Sequence, residues 1–201
     1  MGNGNKVEML IAICAVLTSA IAVFIAWDQG RVMRAQQHGA VFPVVQIDGF
    51  VSTTAETASM GLRLENSGVG PALIESVEVL EDDTPTDGLR AYVERLPDGH
   101  QLSWSSLTGK AIAPGSEIMP IRLAWSRDAI TSDQMNQLAA EWGRLDFEVC
   151  YCSVFDRCWV TRGIGTARAE RVARCEQGER DIFEELATRP AASPTDNVQV
   201  E

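Results

Sequence analysis

Between Met9 and Trp27 the chain reads MLIAICAVLTSAIAVFIAW, 19 residues without a charged side chain. Wound as an α-helix, such a run is about 28 Å long, close to the hydrocarbon thickness of a bilayer. It is apolar on every face, a pattern that half-exposed helices of soluble domains do not sustain. Trp27 followed by Asp28 suits the lipid–water boundary, where an amphipathic ring is stable. The run predicts a transmembrane helix over 9–27 behind a short tail, 1–8.

Three processing alternatives fit less well. A cleaved signal peptide would use Ala20-Ile21-Ala22, but the apolar run continues past it and the leader carries only Lys6, offset by Glu8. Lipidation at Cys14 wants a small residue immediately before the cysteine, and Ile13 stands there. A pilin-like subunit, a minor alternative, would carry its glutamate five residues after the processing glycine, whereas Glu8 lies four after Gly4. The reading is a retained single-pass anchor in a cell inner membrane. Flanking charge, Lys6 before the span against Arg31 and Arg34 after it, leans towards a cytoplasmic C-terminal domain by one side chain.

Small residues mark one stripe of the span. Ala15, Ser19, Ala22 and Ala26 include two four-residue spacings of the kind that lets helices approach closely in lipid. Alanine is also common filler in such helices. As an interface, the stripe implies a partner that is another membrane protein or a second copy of the chain.

Residues 28–40, DQGRVMRAQQHGA, extend the helix as a juxtamembrane stalk that Phe42-Pro43 stops. Beyond them the period changes to two. VVQIDGFV (44–51), SMGLRLEN (59–66) and ALIESVEVL (72–80) alternate as half-buried strands, with Ser76 marking a bulge in the third. NSGVGPA joins the second to the third as a turn. SEIMPIRLAW (116–125) is a further strand, which Pro120 assigns to a sheet edge. TSDQMNQLAAEW (131–142) has a Thr131 or Ser132 N-cap and apolar residues at helical spacing, and DGLRAYVERL (87–96) is a second short helix.

Many turn-separated strands without βαβ alternation predict a mainly β domain, an antiparallel two-sheet sandwich over 41–165 with one or two short helices. A charged C-terminal segment follows at 166–189, and a disordered tail at 190–201. The phrases LRLENSGVGPALIESVEV, APGSEI and CYCSVFDRCW resemble a group of uncharacterised single-pass bacterial membrane proteins with an immunoglobulin-like domain. The resemblance spans roughly Val41 to Val160. It implies that fold and no set of catalytic residues.

The stretch VCYCSVFDRCW, 149–159, holds three cysteines, and Cys175 is a fourth. Read as a hairpin, Leu145, Phe147, Val149 and Tyr151 alternate inward while Cys150 and Cys152 face outward. A five-residue loop, Ser153 to Arg157, puts Cys152 opposite Cys158 within disulfide reach, whereas a three-residue loop leaves them diagonal and too far apart. One or two structural disulfides among Cys150, Cys152, Cys158 and Cys175 are the leading reading. Free thiols, or a metal-binding or thiol-redox protein using the same four residues, are the alternatives. Gaps of one, five and sixteen residues match zinc spacing poorly, and no Cys-x-x-Cys is present. Disulfides need an oxidising compartment, which favours a periplasmic domain and outweighs the flanking charge.

The net charge is −11, with 18 Asp or Glu against 7 Lys or Arg between Val41 and Asp156. Such a domain repels phosphate backbones, so nucleic acid is not an expected partner. His38 and His100 are isolated, no nucleophile, phosphate-loop or zinc-protease motif occurs, and the acidic EDDTPTDG (81–88) lacks calcium-loop spacing. Trp104 and Trp125 would line a ligand surface only if they were not core. The expectation is a non-enzymatic, membrane-anchored interaction or scaffold subunit of a bacterial envelope complex, without a cofactor or metal.

Overall fold

The computed structural model describes residues 4–86, 88–166, 168–176, 178 and 181–187, with side chains from Val7 onward. The tail expected over 190–201 lies outside them, as do Asp87 and the first three residues. The chain divides into two compact units, Met1–Val41 and Phe42–Glu201.

The first unit is a single helix, α1, Gly4–Ala40, 37 residues without a break. It is long and apolar enough to cross a membrane. The apolar run and the polar stalk are thus one continuous rod. Its hydroxyls are satisfied internally: Thr18 donates to the Cys14 carbonyl oxygen at 2.9 Å and Ser19 to that of Ala15 at 2.7 Å. Internal pairing of this kind is what a hydrocarbon surrounding demands.

The second unit is an antiparallel two-sheet sandwich. In chain order its elements are β1 (Val45–Thr53), β2 (Thr57–Asn66), β3 (Ala72–Glu81), β4 (Thr84–Pro85), α2 (Arg90–Val93), β5 (Gln101–Trp104) and β6 (Ala111–Ile112). There follow β7 (Glu117–Ser126), α3 (Ser132–Trp142), β8 (Leu145–Cys152), β9 (Cys158–Arg162), β10 (Ala169–Val172) and a 3-10 turn, Glu184–Ala187. One sheet runs β1-β2-β7-β5 and the other β10-β9-β8-β3-β4, with β6 added alongside β3. Strands β1, β2, β7 and β5 take the places of A, B, E and D of an immunoglobulin domain, and β3, β8 and β9 those of C, F and G. Period-two apolar positions from both sheets meet between them, Ile47, Leu64, Ile121 and Trp125 against Ile74, Phe147 and Tyr151, all buried.

The turn motif NSGVGPA owes its composition to one buried side chain. Asn66 Oδ1 accepts from the amides of Val44 (3.1 Å) and Gly68 (3.0 Å), while Nδ2 donates to the carbonyls of Gly70 (2.8 Å) and Ile112 (2.9 Å). Two acceptor sites and two donors are filled, the full capacity of the amide. A Cβ on Gly68 would run into the Phe42 carbonyl oxygen and the Val44 amide nitrogen, so only glycine fits there.

Four expectations are corrected. Pro120 is not on an edge, since β7 lies between β2 and β5. Leu62 pairs with Ile121 and Leu64 with Ile118, which leaves Met119 and Pro120 facing Arg63 alone. The proline sits in a bulge, where its missing N–H breaks no ladder bond. In β3 the irregularity falls between Ile74 and Ser76, so Glu75 is the extra residue, beside the serine expected. The helix read over 87–96 shortens to α2, Arg90–Val93, although Leu89, Tyr92 and Leu96, at helical spacing, are all buried. Finally, the sandwich does not end at 165. Residues 169–172 pair with β9, and Asp181 and Phe183 are buried. The segment read as a charged C-terminal stretch is a strap across the domain.

Candidate functional site: the cysteine hairpin and its strap

Strands β8 and β9 pair in the register Glu148 with Arg162, Val149 with Thr161, Cys150 with Val160, Tyr151 with Trp159 and Cys152 with Cys158. The loop between them is the five-residue one, Ser153 to Arg157. It is closed by the Ser153 amide on the Arg157 carbonyl (2.8 Å) and the Asp156 amide on the Ser153 carbonyl (3.1 Å), with Asp156 in the left-handed region at φ 54°. Aspartate tolerates that conformation better than most residues, which suits it to this turn.

The hairpin is fixed from the core side by aromatics. Leu145, Phe147, Val149 and Tyr151 are buried, and Trp159 stacks beside Tyr151 at 6.1 Å and meets the edge of Phe42 at 4.9 Å. On the outward face, Cys152 is bonded to Cys158 across the hairpin, with Cα atoms 4.0 Å apart. Cys150 is bonded to Cys175, with Cα atoms 5.7 Å apart. Alternation placed Cys150 and Cys152 outside the core, yet both are buried, because the strap returns over them. Strand β10 pairs Val172 with Cys158, and three residues later Cys175 reaches β8. Chain-entropy arithmetic gives about 2 kcal/mol for the short closure and about 3.5 kcal/mol for the longer one.

The strap is also held beyond Cys175. The buried Asp181 carboxylate accepts from the amides of Leu107 (2.5 Å) and Thr108 (2.6 Å) through one oxygen and from Phe183 (2.9 Å) through the other. Phe183, wholly buried, stacks on Phe147. Sequence reasoning passed over Asp181 and Phe183. The signal was present in Ile182, Phe183 and Leu186, three apolar residues inside the acidic stretch DIFEELA.

Electrostatics around the hairpin are those of cross-strand pairing. Arg162 donates through Nε to Glu148 at 2.6 Å, and that carboxylate raises the guanidinium pKa above its ordinary value. Near the β3–β4 turn, Tyr92 donates to Glu81 at 2.6 Å, which raises the phenol pKa, while Arg144 bridges Glu81 and Asp82. Asp82 and Asp83 form the left-handed turn between β3 and β4, so this acidic loop serves a hairpin. Trp125 is core, its Nε1 donating to the Pro97 carbonyl at 3.2 Å, whereas Trp104 is partly exposed on β5. His100 faces the same carbonyl through Nδ1 at 3.0 Å.

The sulfurs form the one compact group of metal-ligand types among the described residues, those of Cys152, Cys158 and Cys175 lying within 4.8 Å of one another. Metal binding needs thiolates, so as disulfides these sulfurs are cross-links, and only a reduced form offers a soft-metal donor set. Ala15, Ser19, Ala22 and Ala26 belong to the first unit, exposed along α1 with the spacing of one helical face.

No curated protein and no solved structure matches the chain. A family model described as a domain of unknown function, DUF8453, matches residues 9–157, from the first residue of the apolar run to the last residue before Cys158. That stretch takes in the apolar run, the rest of α1 and the sandwich as far as the hairpin loop, and the chain accordingly belongs to the DUF8453 family.

Proposed function

We propose that the protein is a non-enzymatic, membrane-anchored interaction or scaffold subunit of a bacterial envelope complex. The carrying observation is the junction of an unbroken apolar helix to an immunoglobulin-type sandwich whose four cysteines pair as two disulfides. Immunoglobulin-type sandwiches present loops and edges to partners, and the helix supplies attachment. Two disulfides favour a periplasmic domain anchored in the inner membrane, since the cytoplasm keeps thiols reduced. The displaced titrations support a structural reading. Those of Tyr92, Arg144 and Arg162 arise from partners that pin one element to another, and that of Asp128 is lowered by the Ser126 hydroxyl within its turn.

The partner is another membrane protein or a second copy, met in the bilayer along Ala15, Ser19, Ala22 and Ala26. The bacterial setting rests on the resemblance of the hairpin and turn phrases to single-pass bacterial proteins. Fractionation and a reporter fused after Glu201 test the reading. Retention in the inner membrane with activity of a periplasm-dependent reporter is expected. A soluble product with a new N-terminus near Val23, or activity of a cytoplasm-dependent reporter, contradicts it.

A further inference from the structure

The two disulfides touch. Cys152 Sγ, bonded to Cys158, lies 3.7 Å from Cys175 Sγ, which is bonded to Cys150. Their accessibility differs: Cys150, Cys152 and Cys158 are buried, whereas Cys175 on the strap is half-buried. An incoming thiolate therefore meets Cys175 first, and exchange proceeds at the sulfur that a thiolate can reach.

We infer that the pair is an internal thiol relay, which passes two electrons received at Cys175 to the bond that closes the β8–β9 hairpin. The reductant is a dithiol. Its thiolate attacks Cys175 Sγ, the Cys150–Cys175 bond breaks, and the electron pair leaves on Cys150, which takes up a proton. The second thiolate of the reductant attacks its partner sulfur in the mixed disulfide, closing the reductant's own disulfide and releasing Cys175 as thiolate. Cys175 then attacks Cys152 Sγ. A Cys152–Cys175 bond forms, the Cys152–Cys158 bond breaks, and Cys158 leaves with the electron pair and is protonated from solvent. The dithiol is oxidised by two electrons. The protein gains two electrons and two protons, ending with one disulfide and two thiols, Cys150 and Cys158.

Nothing is lost at the strap, because Cys175 only changes its partner on β8 from Cys150 to Cys152. The hairpin loop changes. Residues 153–157, with Val154 and Phe155 exposed at the tip, lose the bond that closes them, so a reductant acting on the strap alters the hairpin loop beside it. The relay acts on the loop that joins the F and G positions of the sandwich, one of those that immunoglobulin-type domains use for binding.

The test is limited reduction of the folded full chain in detergent with dithiothreitol, Cys14 blocked beforehand. New thiols are alkylated, and the two-electron species is mapped by peptide mass spectrometry. The relay predicts alkyl groups on Cys150 and Cys158 with Cys152 linked to Cys175 in most of that species. Labels on Cys150 and Cys175, labels on Cys152 and Cys158, or loss of both bonds together without a two-electron species would each overturn it. Cys150→Ser asks the same question without reductant. The free thiol is expected at Cys158, and finding it at Cys175 beside an intact Cys152–Cys158 bond contradicts the relay. If that variant does not fold, the wild-type map still decides.

Discussion

Phe183 stacks on Phe147 with ring planes 10° apart and centroids 6.4 Å apart, which places a residue near the C-terminus in the centre of the sandwich. Truncating it leaves a cavity between β8 and the strap. Phe183→Ala is expected to destabilise the domain by about 3–5 kcal/mol, read as a lowered midpoint of denaturant unfolding. A change below about 0.5 kcal/mol, within the range of ordinary surface substitutions, would mean that the strap is not part of the cooperative unit.

Asn66 ties the start of β1, the turn after β2 and β6 together through four hydrogen bonds. Asn66→Ala strands buried backbone groups and is expected to cost at least about 2 kcal/mol. Asn66→Asp keeps the two acceptor contacts and replaces both donors with oxygen against the Gly70 and Ile112 carbonyls, so it should be no better tolerated. Unfolding curves of both variants check this, and an Asp variant with wild-type stability would refute the assignment of donors.

Tyr92 donates to the Glu81 carboxylate, and this bond raises the phenol pKa above its ordinary value of 10.0. A raised folded-state pKa contributes stability that is fully present below the unfolded value and is lost as pH rises through the folded one. The domain should therefore weaken above about pH 10. Tyr92→Phe should flatten that part of the profile and lower stability at neutral pH by about 1–2 kcal/mol. Thermal melts of both proteins between neutral and strongly alkaline pH decide it.

Replacing Ala15, Ser19 and Ala22 together with leucine retains an apolar span and should leave insertion unchanged, while filling the face on which a second helix would rest. Co-purification of a membrane partner, or self-association in detergent, is expected to fall at least tenfold. An unchanged complex would move the interface to the sandwich and leave α1 as an anchor alone.

Periodicity and turn chemistry made β1, β2, β3, β7, α3 and the hairpin legible, because each buries one face and is bounded by Gly, Pro or an N-cap. At α3 the structure chooses between the two caps proposed: Thr131 accepts from the Gln134 amide, and the Gln134 side chain returns to the Thr131 amide. Alternation restricted the hairpin loop to an odd length, and the register Cys152 with Cys158 makes it the five-residue one that a cross-strand disulfide requires. What sequence did not disclose were contacts made at long range. Pro120 reads as an edge signal unless the bulge opposite Arg63 is known. Phe183 reads as one apolar residue among charges until Phe147 is found beneath it. The burial of Cys150 and Cys152 depends on a strap that approaches from residues beyond 165. Local pattern reports which face a residue takes, but not what later returns to cover that face.

The central claim is that four cysteines close two disulfides in a membrane-anchored sandwich, and the most direct measurement is a thiol count on the protein as cells make it. Cells producing the full chain are lysed into denaturant with excess maleimide, and the intact mass is determined with and without prior reduction. The account predicts one adduct at most before reduction, at Cys14, and five after it, since Cys14 is the single cysteine outside the two bonds. Four or five adducts without reduction would contradict it, showing a reduced cluster and a domain outside any oxidising compartment.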